Sequence, residues 1–352
     1  MKWMLPMSVA LVAVLAALLV QAQHVAPASV ERRQVTVPSG ERDWAGRGRL
    51  ARLPSGRWLY AYIHGSHHND RCEVKEVRLI ASDDEGRTWS WPRTVIESAP
   101  DERHAEVGLV RCGGALLMLT HVRDSGRGWV GTDVRRSEDG GATWTYERRM
   151  WPGARYALDY CTLPNGNALV AVMGAVDDRG LVPVDVWTTS DGSAWSRRGA
   201  LATAEDGVNE VGLAMWRGDV VAVCRTADEA RTLLRRSGDG GATWGRWRDI
   251  SGQVGVVQQP RLRTAAEMGA SGRDGRLYLF GRRRYTEYEQ RNAVYWSDDG
   301  GRTWTGLDLD GAHHVDTGYA DGLLRAGGAL VVLAYRGTDA AADVWQYVTP
   351  AD

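Results

Sequence analysis

The octet SEDGGATW, which starts at Ser137, returns as SGDGGATW from Ser237. SDDEGRTW from Ser82 and SDDGGRTW from Ser297 are two further full copies, and SDGSAW from Ser190 is a shortened one. The aspartates of these boxes, Asp84, Asp139, Asp191, Asp239 and Asp299, recur at intervals of roughly fifty residues. A fixed period of that length restricts a chain to an array of like units, a solenoid or a propeller.

The text between boxes says what the unit is. GRLARLPSGRWLYAYIHG (48–65) is an apolar run, a Pro-Ser-Gly turn and a second apolar run. YCTLPNGNALVAVMG (160–174) and LLRAGGALVVLAYRG (323–337) repeat the plan with Pro-Asn-Gly and Gly-Gly turns. Such pairs read as hairpins. A third strand follows, such as 74–82, then the box, then a fourth. Four strands in about fifty residues make one propeller blade. Within the box, serine and aspartate suit hydrogen bonds to turn amides. The glycine permits positive φ, and the tryptophan (Trp89, Trp144, Trp195, Trp244, Trp304) can bury a ring between strands. The five aspartates are therefore read as structural. SDGSAW lacks one residue and the threonine, so its turn should differ.

Five boxes mark five blades. GYADGLLRA, ALVVLAYRG and ADVWQYVTP follow Trp304, and RRQVTVPSG (32–40) offers a fourth strand. The expectation is an all-β, six-bladed β-propeller with box repeats, closed by an N-terminal strand, which leaves no free sheet edge. The chain of 352 residues, 43% hydrophobic, is ample for such a core. Its net charge of −1 gives no reason to expect nucleic acid. The opening MKWMLPMSVALVAVLAALLVQAQ reads as a signal peptide over 1–22, with a single propeller domain over 23–352. The apolar run from Val9 to Val20 is short for a membrane span, and no later run is long enough. A secreted or periplasmic monomer is expected. Cys72, Cys112, Cys161 and Cys224 allow three disulfide pairings and show no zinc spacing. The doublets His67-His68 and His313-His314 read as loop residues. No metal or cofactor is expected.

Alternating strand direction puts the boxes and the first-to-second turns on one face. The other face collects the starts of first strands, the ends of second strands and the starts of third strands. Arg47, Arg49, Asp70, Glu210, Arg225, Arg291 and Tyr319 fall at such positions. Glu106, His104, Tyr156, Asp159, Tyr160, Gln258 and Gln259 share the face as candidate pocket-shaping residues.

Repeated S-x-D-x-G-x-T-W boxes from about residue 40 to the end resemble the sialidase (neuraminidase) superfamily. NEVGLAMWRGDVVAVCR resembles its segment from glutamate to second arginine, RNAVYWSDDGGRTW its third-arginine segment and GYADGLL its tyrosine segment. The resemblance implies an exported exo-α-sialidase that acts on sialylated glycans by a retaining mechanism. It assigns Tyr319 as nucleophile, Glu210 as the base to Tyr319, and Asp70 as acid/base. It places Arg225, Arg291 and either Arg47 or Arg49 on the substrate carboxylate. The chemistry is coherent. Arginine forks bind carboxylates in paired geometry, and a neutral phenol avoids the repulsion that a carboxylate nucleophile would meet.

AGRGRLARLPSG departs from the family's Arg-Ile-Pro pattern, so Arg47 and Arg49 both stay open. Arg282, Arg283 and Arg284 rival Arg291. Two other functions remain on this fold. One is an arabinanase-like glycosidase using two carboxylates, Glu106 and Glu210; the other is a non-catalytic glycan-binding propeller.

Overall fold

A computed structural model of the chain describes residues 30–36, 43–68, 75–97, 99, 101–153, 156–269, 275–286, 289–310 and 316–350. The signal segment 1–22, Asp70, Cys72 and His313-His314 lie outside the described residues. The fold is all-β and propeller-like. Among the described residues, the only helical turns are Ala204–Asp206 and Ser251–Val254. No helix of the described residues is long and apolar enough to cross a membrane.

Four antiparallel, four-stranded blades are separate sheets. They are β6 (Glu102–Cys112) to β9 (Thr145–Met150), β10 (Tyr156–Thr162) to β13 (Ser196–Ala202), β14 (Val208–Trp216) to β17 (Arg248–Asp249), and β18 (Val256–Thr264) to β21 (Thr305–Asp308). The other eight strands form one sheet, where two separate blades were expected. One half of it is β2 (Trp44–Arg52), β3 (Trp58–Gly65), β4 (Lys75–Ser82) and β5 (Arg93–Ile96). The other half is β22 (Asp316–Leu324), β23 (Leu330–Gly337), β24 (Ala342–Val348) and β1 (Glu31–Gln34). Strand β1 lies antiparallel to β24 along Glu31↔Val348 to Gln34↔Trp345. The halves meet through a single parallel bridge, Trp44↔Ala342. The first strands neighbour one another in the cycle β2, β6, β10, β14, β18, β22 and back to β2.

The boxes build the turns that their sequence predicts. Asp139 accepts hydrogen bonds from the Ser137 hydroxyl (2.8 Å), the Thr143 amide (2.9 Å) and the Thr143 hydroxyl (2.6 Å). These donors, Thr143 foremost, hold its carboxyl at a pKa of about 2. The serine hydroxyl in turn accepts from the Gly141 amide (2.7 Å). The same pattern recurs at Asp84, Asp239 and Asp299. In the short copy, Thr189 replaces the serine and bonds both Asp191 and the Gly192 amide. Trp304 is buried and the other four box tryptophans are half-buried.

Arginines then tie four of the five boxes to the preceding unit. Arg33 on β1 donates to the Gly86 carbonyl (2.6 Å), and Arg198 on β13 to that of Asp239 (2.9 Å). Arg93 on β5 reaches the Gly141 carbonyl, and Arg248 on β17 that of Gly301. Cys112, Cys161 and Cys224 are buried free thiols, so no disulfide joins the described residues.

The axis is filled by charge. Arg263 on β18 grips Asp321 on β22 through Nε (2.5 Å) and Nη2 (2.6 Å). Asp321 also accepts from the Leu50 amide on β2 (2.8 Å), and Arg263 donates to the Leu50 carbonyl (2.5 Å). Arg261 pairs with Asp159 on β10, which accepts from the Leu213 amide on β14 (2.8 Å). Asp159 and Asp321 are completely buried. Breaking a buried pair leaves a charge without its partner, at a cost of about 3–5 kcal/mol. Asp321→Asn is therefore expected to lower unfolding stability by about that amount. Chemical denaturation at neutral pH measures it, and an unchanged midpoint would show that the axis does not depend on this pair.

Candidate functional site

Each first strand carries a β-bulge near its start. The register shifts fall at Gly46/Arg49, His104/Val107, Ala157/Asp159, Asn209/Val211, Gln258/Arg261 and Gly318/Asp321. The extra residue turns out of the ladder. Arg47, Glu210, Gln259 and Tyr319 sit there with φ of 52°, 41°, 53° and 51°. Non-glycine residues rarely adopt this left-handed region, and such strain collects at functional sites.

The bulges converge on a cavity of about 190 Å³ lined by Arg49, Glu106, Leu158, Glu210, Arg225, Gln259 and Tyr319. Directly beneath it lie the charges that fill the axis. Tyr319, only 7% exposed, donates its hydroxyl to the Glu106 carboxylate. The guanidiniums of Arg49 and Arg47 lie 5.3 and 5.7 Å from the centre of its ring. Burial and the adjoining Glu106 carboxylate push the phenol well above its ordinary pKa. Burial also acts to raise Glu106, but His121, Arg47, the Tyr319 hydroxyl and Arg49 outweigh it and hold that carboxyl below its usual value. Nδ1 of His121 lies 3.5 Å from Glu106.

Glu210 is occupied differently. Its carboxylate accepts from Arg225 Nε (2.6 Å) and from the Gln259 amide (2.7 Å). The Gln259 side chain accepts from the Tyr319 amide (3.0 Å), so Glu210 supports the Tyr319 backbone through one intermediary. The cycle of first strands explains both contacts. Strand β6 lies two steps from β22 on one side and β14 two steps on the other. The Tyr319 side chain crosses β2 to reach Glu106, while its backbone leans on β18. The family resemblance implies Glu210 as the carboxylate on Tyr319; in the structure the carboxylate on its hydroxyl is Glu106. The signal that singles out Glu106 is its position in a first-strand bulge, a signal that Glu210 shares.

Arg225 lines the cavity, with its Nη1 on Glu229 (2.5 Å). Burial acts to lower its pKa, and the two glutamates reverse this. Arg47 and Arg49 both flank Tyr319. Arg291 points elsewhere, to Glu289 (2.6 Å), Asp308 (3.3 Å) and the Tyr285 ring. Strand pairing gives the reason. Arg291 lies opposite Arg283, whereas Arg282 lies opposite buried Asn292. Side chains opposite each other in a ladder share a face, and adjacent ones do not. Arg282 instead donates to Gln258 (2.8 Å) and to the Thr317 carbonyl (3.1 Å), two residues before Tyr319. His68 is more than a loop residue. Its ring stacks on Trp44 at 5.0 Å and its Nδ1 meets buried Asp316 at 2.7 Å. Asp316 also accepts from the Tyr335 hydroxyl (2.6 Å).

Residues 102–332 match the BNR repeat-like domain family, and the chain belongs to it. No protein of curated function matches the sequence. Among solved structures, a Dyadobacter fermentans protein of unknown function superposes with a TM-score of 0.76 at 18% identity, over 92% of this chain and 100% of that one. The Hadza microbial sialidase Hz136 gives 0.71 at 14%, over 90% of this chain and 68% of that one. The Trypanosoma rangeli sialidase in complex with the inhibitor DANA gives 0.70 at 15%, over 91% and 59%. These likenesses are of fold.

Burial and Glu106 both disfavour the Tyr319 phenolate, so its proton stays on as pH rises through the ordinary tyrosine value of about 10. Alkaline titrations of the parent and of Tyr319→Phe, followed by phenolate absorbance, are expected to overlay through that pH. A difference step centred at or below it would overturn the placement of the hydroxyl.

Proposed function

We propose that the chain is an exported exo-α-sialidase, a retaining glycoside hydrolase that removes terminal sialic acids with Tyr319 as nucleophile. The contact between the Tyr319 hydroxyl and the Glu106 carboxylate, inside a pocket rimmed by arginines, carries the reading. Glu106 takes the phenol proton as the tyrosine oxygen bonds to the anomeric carbon. The bond to the leaving oxygen breaks, and Asp70 gives that oxygen its proton. Water then attacks the anomeric carbon and loses its proton to Asp70. The tyrosine–sugar bond breaks and Glu106 returns the phenol proton. Two displacements at one carbon retain configuration.

Arg225 and either Arg47 or Arg49 bind the substrate carboxylate in this reading, and Arg282 takes the place first assigned to Arg291. Glu210 orients Arg225 and braces the Tyr319 backbone through Gln259. The eight-stranded sheet works as two blades, which gives six in all, with β1 closing the ring. A signal peptide over 1–22, a secreted or periplasmic location and a monomeric state complete the proposal. One observation favours a second reading. Glu106 and Glu210 line the same cavity, as a two-carboxylate glycosidase requires.

Release of a fluorescent phenol from its α-sialoside distinguishes the two. Under the tyrosine mechanism, Glu106→Gln lowers kcat by about 10²–10⁴-fold, the usual worth of a proton-transfer partner, and Tyr319→Phe, which removes the nucleophilic oxygen, lowers it at least as far. Glu210→Gln chiefly raises KM by loosening Arg225. Full activity in Tyr319→Phe would refute the nucleophile, and arabinoside turnover lost in both glutamate variants would establish the second reading.

A further inference from the structure

The 190 Å³ pocket is not the largest cavity. One of about 880 Å³ lies at the opposite end of β2, between the box turn of β6–β9 and the β2–β3 turn. Leu53 on its wall lies six positions after Arg47, about 20 Å of extended strand. Its floor is apolar, made by buried Leu53, Leu59, Leu79 and Leu116. The paired box glycines let the turn pack closely on that floor. A Cβ on Gly141 would meet Leu59 Cδ1 at 2.7 Å, and one on Gly140 would meet Leu53 Cδ1 at 3.1 Å.

Trp91 stands on the rim and is 92% exposed. So large an apolar ring in water, beside an apolar trough, marks a contact surface. The charge there is one-sided. Asp139 is consumed by its own turn, and Glu138 by Arg136. Arg111 is exposed and has no carboxylate partner among the described residues, and Arg93 reaches only the neutral Gly141 carbonyl. We infer that this groove is a second, non-catalytic binding site for an acidic oligosaccharide. A sugar ring stacks its C–H face on the Trp91 indole, and its carboxylate meets Arg111 and Arg93. An indole face suits the apolar side of a pyranose, and a guanidinium fork suits a carboxylate. The site rests on the groove and its charge; only the choice of an acidic glycan rests on the reading under Proposed function.

The test uses the full chain carrying Tyr319→Phe, so that glycan is not turned over. Indole N–H signals are followed by NMR, with that of Trp91 assigned through its loss in Trp91→Ala. Titration with 3′-sialyllactose is expected to shift the Trp91 signal saturably, and lactose is expected to leave it in place. Arg111→Ala should weaken binding at least about tenfold, the loss of one good interaction. In the Tyr319 parent, Trp91→Ala should leave turnover of a small aryl α-sialoside unchanged. An unmoved Trp91 signal, an equal shift with lactose, or a shift produced by raising protein concentration alone would overturn the inference. The last outcome would make the occupant a second copy of the chain. A parent without hydrolytic activity whose Trp91 signal still answers 3′-sialyllactose would sink the catalytic reading and leave this one standing.

Discussion

The Arg263–Asp321 pair is the keystone of the axis. One carboxylate holds a guanidinium from β18 and an amide from β2, while standing on β22 itself. Arg261 and Asp159 extend the network to β10, and the Leu213 amide extends it to β14. A narrow axis where the first strands approach one another has no room for large apolar side chains from every side. It does have backbone amides and carbonyls that need partners. Charged groups that meet each other and those backbone groups satisfy both demands. A buried pair of this kind is costly to break, which favours a single arrangement of the strands it joins.

The candidate site sits directly on that network. The same first strands that send Asp159, Arg261 and Asp321 into the axis bulge one or two residues earlier. Those bulges present Arg47, Glu106, Leu158, Glu210, Gln259 and Tyr319 above it. A charged, hydrogen-bonded floor and a strained rim pre-organise the groups that line the cavity. The Tyr319 hydroxyl rests on a carboxylate that His121, Arg47 and Arg49 keep ionised. A neutral phenol beside an ionised carboxylate is the ground state from which proton transfer can create a nucleophile.

At the other end of the strands, the box turns do structural work in every copy. The aspartate and the serine or threonine satisfy turn amides, and an arginine from the preceding unit reaches a box carbonyl in most junctions. Local hydrogen bonds fix the turn, and one long side chain sets its distance from the neighbour. Where β2–β5 meets β6–β9 a groove lies beside the same parts, and the box glycines let the turn pack directly on Leu53 and Leu59.

The all-β, propeller-like repeat was legible because each repeat is local, whereas the merging of the first and last units into one eight-stranded sheet was not. Eight letters specify the turn at Asp139 or Asp239, and the hairpins around Pro164 and Gly327 announce themselves in turn residues and apolar runs. Strand alternation, which is written in the chain, also put Arg225 and Tyr319 on one face, and both line the same cavity. What the sequence could not state is which side chains meet across the ring. Glu106 and Glu210 occupy like positions in like strands, two steps to either side of Tyr319. Only the tertiary cycle sends the hydroxyl to one and the backbone support to the other. Arg291 and Arg282 lie nine residues apart, and only strand register turns one outward and the other toward Tyr319. Local hydrogen bonds and side-chain period are properties of a segment, so the sequence determined them. The partners of a charge at the axis depend on how far strands from distant segments approach one another, and packing of the whole ring decided that.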